Sequence, residues 1–390
     1  MTTTKTPAPA KAPAEPPRRR SISEWWNNLS RFQQWIILLP LVALIFALPW
    51  LNPPLITTEP GYDFSIAMFD VARYCLIAIG LNVVVGQAGL LDLGYVGFFA
   101  IGAYVAALFT SPDSTLWKIP YLAAIPLAMA ITMVFGVILG SPTLRLRGDY
   151  LAIVTLGFGE MVRLFADNVD ALRGNRGFSN IGAPPGTREN GEPLFANFDG
   201  KPWYVLCVAV IIVILILAGN LERSRVGRAW VAIRDDEDAA ELMGVPTFRF
   251  KIWAFVIGAA IGGLSGALYA GQQGFMNNQR FDVLTSVLFL AAVILGGSGN
   301  KVGVMLGAFV VAYVPLRFLS IAEWKFMIFG VALTILMIFR PQGLLGARQR
   351  LLTYGRQAYQ RLVGRGEVVS SDTAMAGGKS LMNGGNGAPK

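Results

Sequence analysis

LERSRVGRAWVAIRDDEDAAELMGVPTFRFK, residues 221–251, is a polar island between two long apolar runs, 203–218 and 252–270. A segment of this length that is neither Gly/Ser-rich nor proline-rich does not read as a slack linker. Within it, residues 235–243 (DDEDAAELM) predict a short helix. Asp235, Asp236, Glu237 and Asp238 crowd its first turn, where the macrodipole favours negative charge, and Gly244 stands ready to end it. Taken alone, this is either a solvated connector between two membrane spans or a docking element, and the rest of the chain decides between them.

Of the 390 residues 54% are hydrophobic and only 15% charged, and the apolar residues come in blocks. A soluble chain of this length would split into domains with far more surface charge, so the class is an all-α polytopic integral membrane protein. The net charge of +9 does not point to nucleic acid. Basic residues gather in the N-terminal arm, at Arg145 and Arg147, in the island and in the tail, the one-sided pattern of cytoplasmic loops. With no histidine in the chain, zinc sites built on His, His-ligated haem and Ser–His or Cys–His dyads are excluded. Cys75 and Cys207 both fall in apolar runs, so neither a disulfide framework nor a metal cluster is indicated.

A helix needs about 20 residues to cross a hydrocarbon core of about 30 Å. On that measure about ten spans are expected, near 35–51, 64–85, 90–109, 120–140, 150–166, 203–221, 252–270, 284–296, 302–318 and 324–339. An even number with both termini cytoplasmic puts every basic segment on one face. The expected layout is a disordered basic arm over 1–34 and a transmembrane domain over 35–340, with a polar cytoplasmic loop over 222–251. An external loop over 167–202, a basic amphipathic interfacial helix over 341–365 and a disordered tail over 366–390 complete it. The first apolar run follows too long a charged region, and lacks a cleavage site, to read as a leader. GGKS at 377–380 is not a phosphate loop, because Thr373 stands where that motif requires Gly.

Polar groups inside spans are candidates for a translocation path. The run 81–104 (LNVVVGQAGLLDLGYVGFFAIGAY) interrupts an apolar region with Gly86, Gln87, Gly89 and Asp92. Such an interruption is either a tight turn between spans or irregular backbone lining a wet cavity. The turn reading suits Gln87, and cavity lining suits the helix that follows, with Asn82, Gly94, Tyr95 and Gly97 as candidates. Asp70 with Arg73 and Glu160 with Arg163 are each three apart, spaced to neutralise each other across one helical turn. Glu160 follows the thin stretch Gly157-Phe158-Gly159, so Thr155, Gly157 and Glu160 join the candidate path. The loop 167–202, rich in Gly, Asn and Pro, reads either as a mobile connector or as a surface meeting something from outside.

Five blocks carry a resemblance: LNVVVGQAGLLDLGYVGFFAIGAYVAAL, GDYLAIVTLGFGEMVRLFADN, SRVGRAWVAIRDDEDAAELMGVP, GGSGNKVGVMLGA and FRPQGLLG. In this order they closely resemble the permease subunits of branched-chain amino acid ABC importers, the longer of the two permeases, over roughly 80–346. The resemblance implies a heterodimer with a second permease, two ATPase subunits on the cytoplasmic face and a periplasmic amino-acid-binding protein. It implies no cofactor on this chain, since ATP and Mg²⁺ are bound by the ATPases, and no nucleic acid partner. Asp238-Ala239-Ala240-xxx-Gly244 has the spacing of the EAAxxxG loop of importer permeases, with Asp in the Glu place. The implied ATPase-coupling set is Arg234, Asp235, Glu237, Asp238, Ala239, Ala240, Met243 and Gly244, and the implied binding-protein contacts are Arg176, Phe178 and Asn180. The expected function is import of branched-chain or related neutral amino acids across the bacterial inner membrane, by a transporter subunit that is not itself an enzyme. Permeases for urea or short amides share much of the pattern. A gradient-driven secondary carrier is the rival outside the family, though no inverted repeat is visible.

Overall fold

The computed structural model describes residues 31–51, 53, 58, 62–145, 148–188, 191, 193–197, 199–318, 324–339 and 343. The expectations for the basic arm before residue 31, the interfacial helix over 341–365 and the tail over 366–390 lie outside the described residues. Helix α1, Arg31–Leu51, belongs to a separate unit that ends at Pro53, and all that follows concerns the second unit.

That unit is helical, with only two isolated bridges among the described residues. Its helices are α2 (Phe64–Leu81), α3 (Tyr95–Thr110), α4 (Tyr121–Thr143), α5 (Asp149–Asn168) and α6 (Gly200–Arg223). The two island helices α7 (Arg225–Asp235) and α8 (Glu237–Leu242) follow, then α9 (Thr247–Gln273), α10 (Val283–Gly296), α11 (Lys301–Arg317) and α12 (Lys325–Phe339). Each expected span overlaps a helix, but the one expected over 90–109 begins only at Tyr95. Five stretches, 64–87, 121–143, 200–223, 247–273 and 278–296, are long and apolar enough to cross a membrane, and α3 and α12 are shorter apolar helices. Helices α5 and α11 fall outside both groups, α5 because Glu160, Arg163 and its terminal acids interrupt it.

The long helices form a bundle around α2 and α9, whose apolar stretches are the most enveloped, whereas α4 and α6 expose most of theirs. Close approach is bought with small residues: a Cβ at Gly266 of α9 would land on the Phe99 carbonyl of α3, backbone against backbone. The Tyr95 hydroxyl donates to the Gly258 carbonyl at 2.8 Å, and the Tyr121 hydroxyl to the Ala267 carbonyl at 2.8 Å, so α3 and α4 are both fastened to α9. Gly94 lies on the Thr155 backbone and Gly97 on the Phe158 ring, so α3 and α5 run side by side in the same direction.

Helix α2 does not stop at Leu81 but widens into one π-helical stretch, Asn82–Gln87. The Ala88 N–H donates to the Val83 carbonyl at 3.2 Å, and Gly89, at φ 72°, turns the chain away. The interruption is therefore a turn, as expected for Gln87. The helix after it differs from expectation: α3 is buried continuously from Tyr95 to Ala107 and is core rather than cavity lining. Its aromatic and glycine faces are filled by α5 and α9, which the interrupted sequence alone does not reveal.

At the opposite end of the bundle, the loop 167–202 is fastened along 173–182. Phe178 forms an antiparallel bridge with Met276, N···O 2.9 and 3.1 Å, and the Ile181 N–H donates to the Gly274 carbonyl at 3.2 Å. Asp113 accepts from the Ser179 N–H at 2.9 Å and its hydroxyl at 2.6 Å, and pairs with Arg173 at 2.9 Å. These bonds hold the Asp113 carboxyl down at about 2, the Ser179 hydroxyl being the main cause. This stretch is a docked plug, which corrects the mobile-connector reading for those residues.

Candidate functional site

The island is two helices rather than one. Ser224 caps α7 by accepting from the Val226 and Gly227 N–H groups at 3.1 and 3.4 Å. Gly227, Ala229, Trp230 and Ile233 are its buried positions, a helical spacing that, with Ser224 before it, is the signal sequence reasoning missed. Asp236, extended at φ −160°, separates the two helices and caps α8 by accepting from the Ala239 N–H at 3.0 Å. Asp235 thus ends α7 instead of opening the acid-capped helix. Gly244, at φ 84°, ends α8 as expected: its N–H donates to the Glu241 carbonyl at 2.9 Å and the Val245 N–H to Ala240 at 3.0 Å.

Anchors tie this pair of helices to the bundle. The Arg234 guanidinium donates to the Gly86 carbonyl at the end of the π-helical stretch, and its stem lies against Gly89. Gly299, beside the same guanidinium, donates its N–H to Asn82 Oδ1 at 2.8 Å. Trp230 Nε1 donates to the Phe250 carbonyl at 2.7 Å, and Lys251, buried at the base of α9, pairs with Glu237. Glu222 joins three helices, accepting from Gln87 Nε2 at 2.6 Å and pairing with Lys301 at 2.8 Å. Ala240 is buried on the bundle side, while Leu242 and Met243 are 89% and 85% exposed at the tip. The helix is thus held firmly on its bundle side and presents an apolar tip to its surroundings.

The candidate path residues separate into two groups. Asn82, Gly94, Tyr95, Gly97 and Thr155 are buried among helices and hold α2, α3, α5, α9 and the Gly299 turn together. Gly157 and Glu160 instead lie on the outward face of α5, and a Cβ at Gly157 would meet nothing within 4 Å. Tyr95→Phe discriminates between packing and path for the first group. Loss of one interhelical bond costs about 0.6 kcal/mol, so thermal stability should fall by a few degrees at most, with uptake unchanged. A large loss of uptake in that variant would return Tyr95 to the path. Both Asp70–Arg73 and Glu160–Arg163 form the expected pairs, the second through Arg163 Nε to both Glu160 oxygens at 2.9 and 3.0 Å. In the loop 167–202 Arg176 and Asn180 are exposed, but Phe178 is fully buried against Tyr104 and anchors the loop rather than forming part of its surface.

A bundle of membrane-length apolar helices, with an anchored helix pair at one end and a docked loop at the other, is the architecture of a polytopic membrane protein. Residues 64–340 match the family described as branched-chain amino acid transport system / permease component, and the chain belongs to that family. It is 37% identical over 323 residues to the high-affinity branched-chain amino acid transport system permease protein LivM of Salmonella typhimurium, covering 78% of this chain and 74% of that one. The LivM protein of Escherichia coli is likewise 37% identical over 324 residues, with the same coverage. The LivH permease of Salmonella typhimurium is 26% identical over 294 residues, covering 70% of this chain and 92% of that protein. No solved structure matches.

Proposed function

We propose that this chain is the membrane-spanning permease subunit of an ATP-driven importer of branched-chain or related neutral amino acids in the bacterial inner membrane. It works beside a second permease, with two ATPase subunits on the island side and a periplasmic binding protein on the side of the loop 167–202. ATP hydrolysis, and the nucleotide with its Mg²⁺, belong to the ATPases. Ten spans with both termini cytoplasmic fit this arrangement, since the arginines of the island then face the cytoplasm, where Lys and Arg gather whatever the acids beside them.

The observation that carries the reading is α8: an exposed apolar tip of Leu242 and Met243 on a helix tied to α9 by Glu237–Lys251 and, through α7, to the end of α2 by Arg234. Closure of the ATPases would draw such a helix along and bias the bundle between inward-open and outward-open states, a two-state shift driven by differential affinity. Selection by the binding protein leaves the permease free to hold its substrate weakly. Arg176 and Asn180, exposed on the fastened loop, are offered to that binding protein.

The test is reconstitution of this chain with its permease and ATPase partners in nanodiscs, measuring ATP hydrolysis with and without leucine-loaded binding protein. Stimulation by the loaded binding protein is expected. Stimulation by urea or an amide in place of leucine would change the substrate, and leucine uptake driven by a gradient with no ATPase bound would overturn the importer reading.

A further inference from the structure

On the outward face of α5, Gly157, Glu160, Arg163 and Asp167 follow one another at spacings of three and four residues, so they lie on one side of the helix. The Glu160 and Arg163 side chains are 31% and 29% exposed there, among Ile153, Met161 and Leu164, which are exposed too. An ion pair open to the surroundings at the depth of a span is costly against lipid tails and belongs against water or protein. The outward faces of α4 and α6 differ: Val134, Val137 and Ile138, and Val213, Ile216 and Leu217, are aliphatic and suit lipid.

The charged row does not end with the helix. Past Asp167 the chain folds into a cup of about 490 Å³ lined by Asp167, Asp170, Arg173, Asn175 and Arg176 together with Val169 and Gly174. Asp167 lines the cup and also stands one turn beyond Arg163 on the same side of α5, so cup and helix face are continuous. From Gly157 to Asp167 the row climbs roughly 15 Å at 1.5 Å per residue, about half a bilayer. Acids and arginines of both signs thus run from the loop surface to the open space at Gly157.

We propose that this row is a binding track for zwitterionic amino acids: the cup collects them, and the Glu160–Arg163 pair is their station within the membrane. The proposal rests on the importer reading above and adds the substrate-facing residues. An α-amino acid carries an ammonium and a carboxylate side by side and no net charge. Glu160 receives the ammonium and the planar Arg163 fork receives the carboxylate. With the track empty, the two side chains close on each other, so no bare charge is left in the span. A pair this exposed holds weakly and opens readily, which suits passage rather than storage. The apolar side chain of leucine then lies along Met161 and Leu164, and Gly157 leaves the room for it.

The assembled importer tests this through Gly157→Cys, with no other change, because Cys75 and Cys207 are both buried. A membrane-impermeant, charged maleimide is expected to label this variant in the ATP-bound outward state, and leucine-loaded binding protein to slow labelling several-fold. Labelling only by lipid-soluble reagents, or ready cross-linking to a cysteine on the second permease with no aqueous labelling, would overturn the track. Arg163→Gln is expected to lower leucine uptake per ATP hydrolysed by about tenfold, the worth of one charge-assisted bond, with Arg163→Lys recovering most of it. Equal uptake in all three proteins would overturn the station. If leucine fails to stimulate hydrolysis in the unaltered complex, the importer reading falls, whereas the maleimide result still decides whether α5 faces water.

Discussion

Replacing Leu242 and Met243 by aspartate is expected to release the ATPases from the complex while the permease still inserts and folds. The two side chains are 89% and 85% exposed, so they contribute almost nothing to the isolated subunit, and surface changes of this kind stay within about 0.5 kcal/mol of neutral. Seated in a cleft, the same side chains would be buried anchors, each worth about 2 kcal/mol or more, or roughly thirtyfold in Kd. A carboxylate there must also be desolvated without a partner. Ala239→Asp tests the exposed side of α8 in the same way, whereas Ala240→Asp would place a charge at a buried position and unseat the helix itself. Gly244→Pro acts through geometry: proline holds φ near −65° where this turn has 84°, and it removes the N–H that closes on Glu241. The measurement is co-purification of the ATPases with each variant, alongside size exclusion of the permease in detergent. ATPases that remain bound to the Leu242→Asp, Met243→Asp double variant would remove α8 from the coupling interface.

Particular residues show where sequence reasoning reached and where it stopped. Most spans were legible because they are long apolar stretches broken by few charges, and burial of the backbone in lipid leaves a helix as its form. The pairs Asp70–Arg73 and Glu160–Arg163 were legible because both partners sit on one helix, three residues apart. Helix α7 was not: its buried side is only Gly227, Ala229, Trp230 and Ile233 among arginines, a pattern easily taken for a connector. The fastening of the outer loop depends on Ser179 meeting Asp113 and Phe178 meeting Met276, partners far apart in the chain, and no local pattern announces them. Gly97 and Gly157 mark the deeper limit. Each is a glycine in an apolar helix, yet the first is pressed against Phe158 and the second faces open space. A sequence shows that a residue is small and leaves unsaid which neighbour made that necessary.

Arg234→Ala is expected to leave the ATPases bound and to break their link to the membrane bundle. Leu242 and Met243 remain in place at the tip of α8, so docking is untouched. What is lost is the bond from the guanidinium to the Gly86 carbonyl, and with it the contacts of the side chain with Gly89 and Gly299. Those three glycines frame the π-helical turn at the end of α2, and Gly299 also holds Asn82. π-Helical turns recur at functional sites because their wider backbone can be rearranged locally. A push on α8 therefore reaches α2 through Arg234 and reaches α9 through Glu237–Lys251 and Trp230–Phe250. A hydrogen bond to a charged group contributes about 1.5–3 kcal/mol, so the stimulation of hydrolysis by loaded binding protein should fall by between about tenfold and a hundredfold. Because Lys251 still ties α8 to α9, a residual response is expected in Arg234→Ala, and the Arg234→Ala, Lys251→Met double variant should lose that too. Hydrolysis and leucine uptake measured together in nanodiscs separate the cases: ATPases bound but unresponsive is the expected outcome. Full stimulation in the double variant would mean that the bundle is driven from some other contact, and that the turn at Gly86 is only a bend in the chain.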